Sequence, residues 1–103
     1  MSIEIPTQPI PDHIAAACAW LSAAERHTGQ PLRQRLDAGD VIDILCDVDP
    51  PYPPVDTSKP ATSLTTAASE IIPALERAVE AAGSIEEKLR AARALGALRQ
   101  GLS

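Results

Sequence analysis

The chain has 103 residues, 45% of them hydrophobic, with nine basic and fourteen acidic side chains for a net charge of −5. At this length one domain is the default. Two cysteines, no Gly-X-Y period and no long apolar run exclude disulfide-stapled, collagen-like and membrane-spanning classes.

Alanine supplies 18 of the hydrophobic positions and Leu, Ile and Val together 23; Phe is absent, and Trp20 and Tyr52 are the only aromatics. A core built this way gains stability from the close approach of small side chains rather than from bulk. The charge is uneven. Residues 37–56 hold Asp37, Asp40, Asp43, Asp47, Asp49 and Asp56 and no Lys or Arg. The acidic balance opposes binding to nucleic-acid backbones and anionic membranes, both of which need clustered cations.

In chain order, residues 1–11 read as an extended arm, because Pro6, Pro9 and Pro11 fix φ and push the preceding residues out of the helical region. Ile3, Ile5 and Ile10 are its candidate anchors. The first helix is predicted from Asp12, as cap, to Thr28, with Gly29 ending it in a left-handed conformation. Ile14, Ala17, Cys18, Leu21 and Ala24 form its apolar stripe. Trp20 lies on the flank, as a second-layer packing residue or an exposed anchor. Pro31 suits the start of a short helix through Leu32 and Leu36 that Gly39 stops. The next segment, Val41–Val48, fits a strand by alternation and a helix by its 41, 44, 45, 48 face. Asp40 as cap and the lack of any strand to pair with decide for helix.

Residues 49–62, with Pro50, Pro51, Pro53, Pro54 and Pro60, form a stiff polyproline-like connector. A long helix follows over Ser63–Ala82, striped by Leu64, Ala67, Ala68, Ile71, Leu75, Val79 and Ala82 and bent by Pro73. Gly83 ends it. Ser84 and Glu87 make a capping box for the last helix, which runs to Gln100 with Ile85, Leu89, Ala92, Leu95, Leu98 and Leu102 on a broad face. The short Gly-Ser junction predicts an antiparallel helical hairpin. The expected fold is therefore all-α: a small bundle of four to five helices with a C-terminal antiparallel hairpin and a Pro-rich connector. Residues 12–103 form a single helical domain (12–48 short helices, 49–62 connector, 63–102 hairpin) behind the 1–11 arm.

No residue set meets the needs of a catalytic, cofactor or metal site. His13 and His27 are about four turns apart on one helix. CxxC and HxxxH spacings are missing, as are a Gly-rich phosphate loop and a GxSxG elbow. Asp43, Asp47 and Asp49 lack the alternation and the turn glycine of a calcium loop. Cys18 and Cys46 are read as buried thiols, with a single bridge as the alternative. The Ala78–Leu89 segment resembles a helix-turn-helix only superficially, since its second helix opens with Ser84, Glu86 and Glu87, which repel phosphate. Pro50-Pro51-Tyr52-Pro53-Pro54 lacks the Pro-Pro-x-Tyr spacing and the flanking cation of a recognition motif.

These readings favour a non-enzymatic protein-interaction module, an adaptor, regulator or inhibitor, with another protein as partner and no nucleic acid or membrane. The candidate contact residues are Trp20, Asp40, Asp43, Asp47, Asp49 and Tyr52. The N-terminus lacks a signal-peptide pattern, so a cytoplasmic location is expected. Ala92 and Gly96 form a small-residue notch on the last helix, for its hairpin partner or for a homodimer through the C-terminal helices. Two alternatives remain at this stage. One is a bundle in which Arg77, Arg90 and Arg93 line a pocket for an anionic metabolite; the other is an acidic nucleic-acid mimic.

Overall fold

The computed structural model describes residues 6–102. Four helices account for the regular structure: α1 (Asp12–Glu25), α2 (Leu32–Leu45), α3 (Leu64–Glu80) and α4 (Ile85–Leu102), with no strand among the described residues. The protein is an all-α bundle. Around it, α1 packs on α2 and α3, and α4 packs on α2 and α3, so α1 and α4 lie diagonally. Ile3 and Ile5 of the expected arm lie outside the described residues; Ile10 is half-buried and packs on the core.

The predicted α1 stripe is the buried one: Ile14, Ala17, Cys18, Leu21 and Ala24 are all inaccessible, with Ala19 and Ala23 beside them. The helix ends earlier than Thr28, and Gly29 does not end it through a left-handed conformation, because no described glycine has positive φ. The reason lies in its last carbonyls, each of which finds a donor elsewhere. Ala23 O accepts from Thr62 N–H (3.2 Å), Ala24 O from His27 N–H (3.2 Å) and the Gln30 amide, and Glu25 O from Arg35 Nε (2.9 Å). A glycine cap is then unnecessary. Asp12 is likewise no cap: the N-cap is Pro11, which lacks a side-chain cap bond, and Asp12 stands in the first turn, where a carboxylate favours the helix dipole.

The second correction concerns residues 32–48. The chain forms one continuous helix, α2, instead of two short ones, so Gly39 does not stop it and Asp40 does not cap. Ala38, Val41 and Leu45, spaced three and four apart, are its buried positions. The core seen by that face outweighs the roughly 1 kcal/mol that an interior glycine costs. The helix stops at Leu45, with Cys46 N–H donating to Ile42 O (2.9 Å).

The connector then runs from the end of α2 to the start of α3. Asp56 accepts from Ser58 N–H (2.9 Å), and this bond holds its carboxyl below the usual carboxylate range. Lys59 lies over the Trp20 ring, its ammonium 4.4 Å from the centroid, while Arg26 donates to Lys59 O (2.8 Å). Ser63 caps α3 by accepting from Thr66 N–H (3.3 Å), and the helix runs through Pro73. Among the described residues no polar or charged one is buried, and the largest fully buried side chains include Leu21, Leu45, Leu64, Ile71, Leu75 and Leu98. Alanine at most other core positions lets these few fill the centre of four close helices.

Candidate functional site

At one end of the α2–α4 pair, the last turn of α2 meets the first turn of α4. Asp43, in the last turn of α2, and Asp47, just past its end, line the same cleft, and both are exposed. On α4, Ser84 Oγ accepts from Glu87 N–H (3.1 Å), and Glu87 Oε2 accepts from Gly83 N–H (2.8 Å). This variant of the capping box fixes Glu87 and leaves Glu86 exposed beside it. Antiparallel neighbours thus gather the carboxylates of two distant segments.

Two adjoining clefts result. The larger, about 620 Å³, is lined by Asp47, Asp49, Tyr52, Glu86, Glu87 and Arg90, and is completed by Gln8, Pro9, Pro11, Val48 and Ser84. The smaller, about 530 Å³, is lined by Asp43, Asp47, Glu86, Arg90 and Arg93 together with Ile44 and Leu89. Gln8 holds the arm in place over the first cleft: its N–H donates to Pro51 O (3.0 Å) and its side-chain amide to Pro50 O.

Tyr52 is the half-buried aromatic of this region. Burial raises its hydroxyl above the usual phenol value, Arg90 pulls it back, and Glu87 adds to the rise. Behind it, Cys18 and Cys46 are free thiols in mutual contact. The hydrogen bond to Cys46, then burial, push Cys18 far above the ordinary thiol range. The same bond lowers Cys46 from 9.0 to about 7, against burial and Asp43, which both push it up.

Of the six contact residues expected from sequence, Asp47, Asp49 and Tyr52 line the larger cleft, and Asp43 joins Asp47 in the smaller. Asp40 lies further back along α2, in shallow depressions beside Arg33 and Leu36. Trp20 is elsewhere, half-buried against the core and covered by Lys59. Arg90 and Arg93 share a cleft, but Arg77 is exposed on α3 and lines neither, so the three-arginine pocket does not assemble. Gln8, Glu86 and Glu87 are the residues that sequence reasoning did not assign to a site. Their signal was the capping box, which forces both glutamates to the start of α4.

Among the described residues, no three His, Cys, Asp or Glu side chains converge closely enough to hold a metal ion. No described helix is long and apolar enough to cross a membrane. No protein-family model matches the chain, and no curated protein or solved structure is detectably similar to it.

Proposed function

We propose that this protein is a small, non-enzymatic, cytoplasmic interaction module, an adaptor, regulator or inhibitor, whose acidic clefts dock a basic segment of a partner protein. The bundle, with α3 and α4 as its C-terminal antiparallel hairpin, serves as the rigid frame. One observation carries the reading: Asp47, Asp49, Glu86 and Glu87 line the cleft that holds Tyr52, and Asp43 joins Asp47 and Glu86 in the adjoining one, at a single end of the bundle. Five carboxylates against Arg90 and Arg93 make a negative field that draws in Lys or Arg side chains. Tyr52 adds a ring face on which a guanidinium stacks.

The anionic-metabolite alternative loses support from the same clefts, because Asp43, Asp47 and Glu86 stand beside the two arginines. Fluorescence anisotropy with a labelled Arg/Lys-rich peptide tests the docking reading. Saturable binding that weakens at least tenfold in the triple variant Asp47→Asn, Asp49→Asn, Glu86→Gln is the expected result. No binding at low salt, or equal binding by the triple variant, overturns it.

A further inference from the structure

α4 turns Ala91, Ala94 and Leu98 inward. The broad apolar face expected on this helix is wider than its neighbours cover. On the opposite side, Ile85 is 77% and Leu89 57% exposed, and Ala92 and Gly96 continue the same line in solvent. Their spacing of four, three and four residues is that of a coiled-coil seam. α2 differs in kind: its outer line begins with exposed Leu32 and Leu36 but turns to Asp40, Asp43 and Asp47. The Ala92–Gly96 notch does not serve α3, since a Cβ placed on Gly96 would meet nothing within 4 Å.

We infer that this outer stripe of α4 is the contact surface for a second copy of the chain, packed antiparallel about a twofold axis. Two features of the stripe select that occupant. The first is size: the large residues Ile85 and Leu89 occupy its N-terminal half and the small residues Ala92 and Gly96 its C-terminal half. Antiparallel pairing sets Ile85 opposite the second copy's Gly96 and Leu89 opposite its Ala92, and the twofold repeats both contacts. Parallel pairing would stack large on large and leave a gap between the small ones. The second is charge: Glu86 and Arg93, seven residues and about two turns apart, share one flank of the stripe. Antiparallel pairing brings each Glu86 to the other copy's Arg93, whereas parallel pairing sets this flank against the opposite flank of the second copy and forms neither pair.

An 18-residue helix is about 27 Å long. One such pair, with its flanks, falls at the low end of the area that stable interfaces bury, so the dimer is weak and concentration-dependent. This contact does not rest on the docking of a basic partner, although Glu86, Leu89 and Arg93 belong to both surfaces.

Sedimentation velocity of the full chain from about 10 μM to about 1 mM tests it, the window in which a contact of this size associates. The mass should rise from 10.8 kDa towards twice that value. Leu89→Glu and Gly96→Leu, both at exposed positions, should each weaken association at least tenfold while leaving the helical circular dichroism unchanged. Glu86→Arg and Arg93→Glu should each weaken it, and the double charge swap in one chain should restore it. A monomer throughout that range overturns the inference, as does association that ignores Leu89→Glu, or a double swap that stays as weak as the single ones.

Discussion

Gln30 shows how one side chain can join elements that the sequence keeps apart. Its amide donates to Ala24 O at the end of α1, and its carbonyl oxygen accepts from Leu64 N–H (2.8 Å) at the start of α3. Both are terminal helix groups in a half-buried place: Ala24 O is shared with His27 N–H, and Leu64 N–H is one of the first-turn donors that a helix cannot pair internally. Removing the side chain in Gln30→Ala should cost about 1–2 kcal/mol, a fall of roughly 5–15 °C in Tm for a chain of this length. Thermal unfolding by circular dichroism measures it, and a shift under 2 °C would mean that water replaces both bonds. Nothing in the sequence marked Gln30, because the bond partner lies 34 residues away. The cysteine pair gives a second prediction at this scale. Cys46, lowered to about 7 by its bond with Cys18, should react with iodoacetamide along a titration centred there, while buried Cys18 stays unlabelled until the protein unfolds. In Cys18→Ala the lowering bond is gone, and burial and Asp43 remain, so the Cys46 midpoint should move to 9 or above. The sign for stability follows from proton counts. Between pH 7 and 9 the folded chain binds one proton fewer at Cys46 than the unfolded chain. That contribution therefore grows as pH rises through the window and is lost as pH falls to 7.

At the scale of the element, periodicity was legible wherever one face alone decided the outcome. The α1 stripe is an example, and so are Leu64, Ala67, Ala68, Ile71 and Leu75 on α3. It misled at Gly39, where a local breaker was set against a face visible only when Ala38, Val41 and Leu45 are read as one series. Two glycines in helices now separate by their surroundings. A Cβ at Gly39 would meet only the Glu25 carboxyl at 3.8 Å, an ordinary contact, so Gly39→Ala should stabilise by about 0.5–1 kcal/mol. At Gly101 the Cβ would lie 2.9 Å from Asp37 Oδ2 and 3.3 Å from its Cβ, so the short carboxylate has to shift. That oxygen is already buried without a hydrogen-bond partner. Gly101→Ala should therefore destabilise by about 1 kcal/mol, since overpacking a tight contact typically costs 1–3 kcal/mol and the helical gain offsets part of it. Urea unfolding of the two variants decides the matter; equal shifts of the same sign would show that propensity alone governs both.

For the whole molecule, the all-α architecture was readable from apolar spacing and the Ser84–Glu87 cap, although the Asp12 and Asp40 caps failed, whereas the clefts were not, because they arise from α2 and α4 lying side by side. A sequence shows an acidic run at 37–56 and a pair of glutamates at 86–87; only packing makes them one surface. The two proposed contacts of that surface and of the α4 stripe differ in their physics, and salt separates them. The docking clefts are lined by exposed or half-exposed carboxylates, so attraction for a basic peptide acts through water and is screened. Raising ionic strength from about 0.1 to 1 M shortens the screening length from about 10 to 3 Å. The peptide Kd should then rise at least tenfold. The α4 pair rests chiefly on Ile85 and Leu89 closing over Ala92 and Gly96, and its Glu86–Arg93 pairs are exposed, each worth under about 1 kcal/mol. Its Kd should change less than about fivefold over the same range, since apolar burial is not weakened by added salt. Peptide anisotropy and sedimentation at the two salt concentrations read the two quantities independently. A peptide affinity indifferent to salt would place its contact on the apolar stripe instead of the acidic clefts, and a dimer that dissociates in 1 M salt would make charge, not the large-on-small seam, the cause of self-association.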